Sequence, residues 1–66
     1  MKVREVLRLL REDGWYLVNQ DGSHRQFKHP TKPGRVTVAG KQGETLHPKT
    51  LVSILRQAKL QKKGDD

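Results

Sequence analysis

Val3, Val6, Leu7 and Leu10 repeat at the i, i+3, i+4, i+7 spacing of a helix with one buried face, and Lys2, Arg4, Glu5, Arg8, Arg11 and Glu12 fill the positions between them. Gly14 is placed to stop that helix, because glycine enters the left-handed region at little cost. Two strand-like runs follow, Trp15-Tyr16-Leu17-Val18-Asn19 and Arg25-Gln26-Phe27-Lys28-His29. Asp21-Gly22 between them reads as a two-residue hairpin turn, so Ser23-His24 opens the second strand. His29-Pro30-Thr31-Lys32-Pro33-Gly34 is a second turn, whose prolines cannot donate to a ladder. Arg35-Val36-Thr37-Val38-Ala39 alternates polar and apolar residues as a half-buried strand does, and Gly40 to Leu46 reads as a loop. Pro48 suits the first turn of a last helix, with Leu46 and Leu51 spaced as a hydrophobic staple around its start. Leu51, Ile54, Leu55 and Ala58 then repeat the helical stripe.

The predicted order is α-β-β-β-α, an α+β fold in which a three-stranded antiparallel sheet carries both helices on one face. That order is the one found in double-stranded-RNA-binding domains. The expected core is Val3, Val6, Leu7, Leu10, Trp15, Leu17, Phe27, Val36, Val38, Leu51, Ile54, Leu55 and Ala58, and the second sheet face stays open to a ligand. Tyr16, of opposite parity to Trp15, is expected at the surface. One domain is expected over residues 1–60, followed by a flexible tail over 61–66 with nothing apolar to bury.

Composition sharpens the expectation of a partner. Among 66 residues, 14 Lys and Arg stand against seven Asp and Glu, a net charge of +7. Such a balance points to nucleic acid or an acidic protein. No run of apolar residues is long enough to span a bilayer, and both helical patterns are committed to a core, so no membrane association is expected. With no cysteine there are no disulfides and no thiolate metal sites, which fits a cytoplasmic protein.

Histidine is the side chain whose unperturbed pKa, about 6.5, lets it exchange protons near neutrality. If Phe27 points into the core, strand alternation puts Arg25 and His29 on its side and His24, Gln26 and Lys28 on the open side. An imidazole at the end of a rigid hairpin, on a basic surface that gathers phosphates, outlines a ribonuclease. A non-catalytic RNA-binding module of the same fold is the alternative reading. His29 before Pro30 and His47 before Pro48 read as structural, the latter as part of a helix cap. His24 and His29 fall on opposite strand faces, so no metal site and no cofactor are expected. Ser23 could bond a phosphate oxygen or hold the ring, and Arg25 and Lys28 are candidates to steady charge on phosphorus. Arg4, Arg8 and Arg11 recur along one side of the first helix as a candidate docking row.

Gly14-Trp15, Gly22-Ser23-His24-Arg25-Gln26-Phe27-Lys28-His29-Pro30, Val36-Thr37-Val38 and the run from Lys49 to Ala58 together resemble the HicA (YcfA-like) family of mRNA interferase toxins. The likeness spans nearly the whole chain up to Leu60. It implies an endoribonuclease toxin that acts on mRNA, with His24 at the position of the family's catalytic histidine. It also implies a HicB-type antitoxin, whose expected contacts are the His24 face and the row Arg4, Arg8 and Arg11. The chain departs from the family at Ala39, where proline is usual, at Gly40-Lys41-Gln42, where the family often has a histidine, and at Lys49 and Lys59, where glycine is usual.

Overall fold

The computed structural model describes residues 1–60; the tail expected over 61–66 lies outside the described residues. Helix α1 spans Val3–Asp13, strands β1, β2 and β3 span Tyr16–Asp21, His24–Lys28 and Val36–Val38, and helix α2 spans Pro48–Gln57. The strands form one antiparallel sheet in the order β1-β2-β3. Val3, Val6, Leu7 and Leu10 of α1 and Ile54 and Ala58 of α2 join Phe27, Val36 and Val38 in a single core, so both helices cover the same sheet face.

Each helix end is satisfied locally. The segment after β3 straps the start of α1: the N–H groups of Val3 and Arg4 donate to the carbonyls of Glu44 and Gln42 at 2.9 and 3.1 Å, and Leu46 N–H donates to the Met1 carbonyl. The N–H groups of Val3 and Arg4 are among those that a helix start otherwise leaves without partners. The strap also buries Leu46, which the periodicity places only at a staple. The Lys2 N–H donates to the Glu5 carboxylate at 2.7 Å, and that bond holds the Glu5 pKa below its ordinary value. At the other end of α1, Gly14 has φ 106°, and a Cβ there would stand 2.9 Å from His29 Nε2. Only glycine meets both demands. His47 caps α2 as expected, its ring accepting from Lys49 N–H.

α2 ends in a Schellman motif, with Leu60 N–H on the Leu55 carbonyl and Lys59 N–H on the Arg56 carbonyl. Lys59 sits there at φ 57°, at one of the positions where the resembled family carries glycine. A side chain in this region costs about 1–2 kcal/mol, partly offset because glycine gives the unfolded chain more freedom. Lys59→Gly is therefore expected to stabilise the fold by roughly 0.5–1 kcal/mol, which raises the melting temperature by a few degrees in a domain of this size. A calorimetric scan showing no rise would remove the strain argument.

Three expectations are corrected. The hairpin turn is Gly22-Ser23, not Asp21-Gly22: Asp21 pairs with His24 and remains on the ladder. Gly22 has φ 62° and Ser23 does not enter the left-handed region, the pattern of a turn with glycine first. The cause is a bulge at Val18 between Leu17 and Asn19, which lengthens β1 and shifts its register. Leu17, expected in the core, is 48% exposed. It pairs with Phe27 and so shares the helix-covered face, but it lies on the outer strand beyond the cover that the helices give. Leu51 and Leu55 are half-buried rather than fully enclosed.

Candidate functional site

Strand β2 organises the open face. Pairing places Asp21 opposite His24, Asn19 and Thr37 on either side of Gln26, and Tyr16 opposite Lys28. Directly paired residues point to the same side of a sheet, so these seven side chains share the face that the helices leave uncovered. His24 is exposed at the start of β2, next to the Gly22-Ser23 turn, and its ring has no hydrogen-bond partner among the described residues. A free imidazole at the end of a paired hairpin can meet a ligand without first breaking a bond.

The other expected site residues divide. Lys28 is exposed on the same face as His24, four residues along the strand. At roughly 3.3 Å per residue the two Cα atoms are about 13 Å apart, too far for both side chains to meet at one small group. Ser23 is half-buried in the turn beside His24. Arg25 lies on the opposite face, where its Nη1 donates to the carbonyls of Gly40 at 2.9 Å and Ser23 at 3.4 Å. It ties the hairpin to the end of β3 and does not join His24. Arg4, Arg8 and Arg11 are exposed along one side of α1 and form no ion pair among the described residues. They belong to the helix layer, so a ligand touching both the row and His24 must wrap around the sheet.

Sequence reasoning passed over three residues of this face. Asp21 was assigned to the turn, although it stands across the ladder from His24. Gln26 carried no expected role, yet it occupies the centre of the face. Arg35 precedes β3 and is exposed, with its Nη1 donating to Gln26 Oε1 at 2.8 Å. The signal for Arg35 was its shared parity with Thr37, and the pairing register was needed to use it.

The second histidine of β2's run does different work. His29 Nε2 lies 2.7 Å from the Asp13 carbonyl, while Nδ1 faces the N–H groups of Thr31 and Lys32, each at 3.1 Å. A carbonyl can only accept and an N–H only donate, so the proton sits on Nε2. The ring meets Trp15 edge to face at 5.2 Å between centroids. Lys32 Nζ reaches both the Asp13 carboxylate and the Ala58 carbonyl, and Trp15 Nε1 donates to Asp13. The Lys32 hydrogen bond holds the Asp13 carboxyl below its usual pKa. His29 is thus structural, as its position before Pro30 suggests.

Among the described residues no group of three or more His, Asp or Glu side chains could hold a metal ion. An apolar hollow of about 330 Å³ lies in the helix layer, lined by Met1, Leu9, Leu55 and Leu60, on the other side of the sheet from His24. No helix among the described residues is long and apolar enough to cross a membrane.

No curated protein matches the chain significantly. The profile of a family described as the HicA toxin of bacterial toxin–antitoxin systems matches residues 3–60, which takes in every element from α1 to the end of α2. The chain belongs to the HicA toxin family, the toxins of bacterial toxin–antitoxin systems.

Proposed function

We propose that the protein is a metal-independent endoribonuclease that cleaves mRNA on its open sheet face, with His24 as the proton-transfer group. The observation that carries this reading is an exposed imidazole, without a hydrogen-bond partner among the described residues, held by a hairpin on a face that also carries Lys28 and Arg35. RNA supplies its own nucleophile. The 2′-oxygen forms a bond to phosphorus, the bond from phosphorus to the 5′-oxygen breaks, and a 2′,3′-cyclic phosphate remains. One proton leaves the 2′-hydroxyl and one arrives at the 5′-oxygen; His24 handles one of these transfers and water the other. A positioned proton-transfer group contributes about 10²–10⁴-fold in rate.

The rest of the face fits a single strand. Tyr16 is 50% exposed and sits opposite Lys28, so a base can stack on it while the ammonium meets the backbone. The contacts this reading uses are phosphates and a base stack, neither of which discriminates sequence, so cleavage tolerates many sequences. Membership of a toxin–antitoxin family supplies the partner, a HicB-type antitoxin. A chain of net charge +7 suits fast, salt-sensitive capture by an acidic protein, and a partner covering His24 inhibits by occupying the RNA face.

The test is incubation of the purified chain with RNA under saturating EDTA. Cleavage is expected to persist within a few-fold, to stop when the sugar at the cut site is 2′-deoxy, and to fall in proportion to added antitoxin until the two are equimolar. Loss of activity on chelation, or cutting of an all-deoxy strand, would sink the mechanism. RNA that is bound but never shortened would favour the non-catalytic RNA-binding module.

A further inference from the structure

Arg35 is exposed, but it is not loose. Its guanidinium donates through Nη1 to Gln26 Oε1 at 2.8 Å, and both ion pairs among the described residues are made by Asp13, far along the chain from it. A guanidinium carries five N–H donors in a planar fork, and one carboxamide oxygen engages only one of them. The remaining donors face solvent over the sheet. Gln26 in turn has its Oε1 committed to Arg35, which leaves its amide N–H groups as donors on the same face.

Position then separates Arg35 from Lys28. Gln26 is two residues from His24 along β2, about 6.6 Å at roughly 3.3 Å per residue. Lys28 is twice as far. The antiparallel register carries the Arg35 backbone alongside Lys28, but its guanidinium reaches back to Gln26 and is anchored there, two residues along β2 from His24, while Arg25, next to Gln26 in sequence, is turned to the helix layer and bound to Gly40. An exposed arginine ordinarily loses rotamer freedom when it grips an anion. Here the bond to Gln26 has already restricted it, so less freedom is lost on binding.

We infer that Arg35, positioned by Gln26, binds the RNA phosphate next to the one that reacts at His24, and so sets the register of the strand on the face. This rests on the ribonuclease reading and names a positioning residue within it. A phosphate contact of this kind acts on affinity for any sequence and leaves the chemical step to His24.

The experiment measures binding of a single-stranded 2′-O-methyl RNA, which keeps the phosphates and cannot be cleaved, together with cleavage of ordinary RNA. Arg35→Gln is expected to weaken binding about tenfold or more, the loss of one charge-assisted contact. It should also flatten the log–log salt slope by about 0.7, one phosphate on a single strand, and raise KM much more than it lowers kcat. Gln26→Ala keeps the charge, so it should weaken binding several-fold with the slope unchanged. Lys49→Gln removes one charge from α2 and serves as the control for net charge. If Arg35→Gln weakens binding no more than Lys49→Gln while wild type cleaves RNA, the inference fails and the ribonuclease reading stands. If Arg35→Gln lowers kcat and leaves KM, the residue acts on the reacting phosphate and the assigned register is wrong. Wild type that binds with the expected slope but cuts nothing would overturn the ribonuclease reading and leave the phosphate contact in place. Melting temperatures of all three variants should match wild type, since each altered side chain lies outside the core.

Discussion

His24→Ala is expected to abolish measurable RNA cleavage while the protein melts within about 2–4 °C of wild type, the range for a surface substitution of ±0.5 kcal/mol in a small domain. The two halves of this result have separate causes. The ring is exposed and bonded to nothing among the described residues, so its removal leaves no unpaired buried group and no cavity. The chemistry loses its only imidazole on that face, because His29 is bound on the other side of the sheet and His47 caps α2. A drop of about 10²–10⁴-fold is the usual weight of such a group, and with the slow reaction it leaves behind, that suffices to hide cleavage. RNA affinity should change little, since the phosphate contacts assigned to Lys28 and Arg35 remain. Cleavage, uncleavable-RNA binding and thermal melting on one preparation decide the matter. A variant that cuts at a comparable rate excludes His24 as the catalyst. A variant that stops cutting because it no longer binds makes it a contact residue instead.

The limits of the sequence are visible at particular residues. Val3, Val6, Leu7 and Leu10 announce α1 because each must face the same core, and the structure buries all four. Val36 and Val38 do the same for β3 at period two. Leu17 obeys the same parity as Phe27 and yet stays exposed, because burial also depends on how far the helices extend over β1, which no local pattern encodes. The turn moved by one residue because the bulge at Val18 lies outside any residue preference: Asp-Gly and Gly-Ser are both acceptable hairpin centres, and the register chose between them. His24 was legible because strand alternation from Phe27 fixes its face even with the turn misplaced. Arg35 was not, because its meaning comes from Gln26, nine residues away in sequence and adjacent only once β2 and β3 pair. The helix row Arg4, Arg8 and Arg11 was legible as a row, while its separation from His24 by the thickness of the sheet was not.

His29→Ala should give the opposite result from His24→Ala: a large loss of stability, with any remaining folded protein still competent to cut RNA. The ring joins three parts of the chain. Its Nε2 proton goes to the Asp13 carbonyl at the end of α1, its Nδ1 accepts from the loop after β2, and its edge meets Trp15 at the start of the sheet. Removing it strands the N–H of half-buried Lys32 and the Asp13 carbonyl, at about 1–3 kcal/mol for an unsatisfied buried group, and deletes an aromatic contact of about 0.5–1.5 kcal/mol. A total near 3 kcal/mol approaches the whole stability that a core this small supplies, about 3–5 kcal/mol. The expected fall in melting temperature is roughly 10–20 °C. The Asp13 carboxyl in the same cluster adds an acid signature. Its folded-state pKa is lowered by the hydrogen bond from Lys32, so its contribution is present above the unfolded value near 4 and is lost as pH falls through the folded one. Melting temperature should therefore drop more steeply below about pH 4 in wild type than in Asp13→Asn. The decisive comparison is melting and cleavage of the two histidine variants side by side at a temperature where both are folded. If His29→Ala melts with wild type and fails to cleave, the roles assigned to the two histidines must be exchanged.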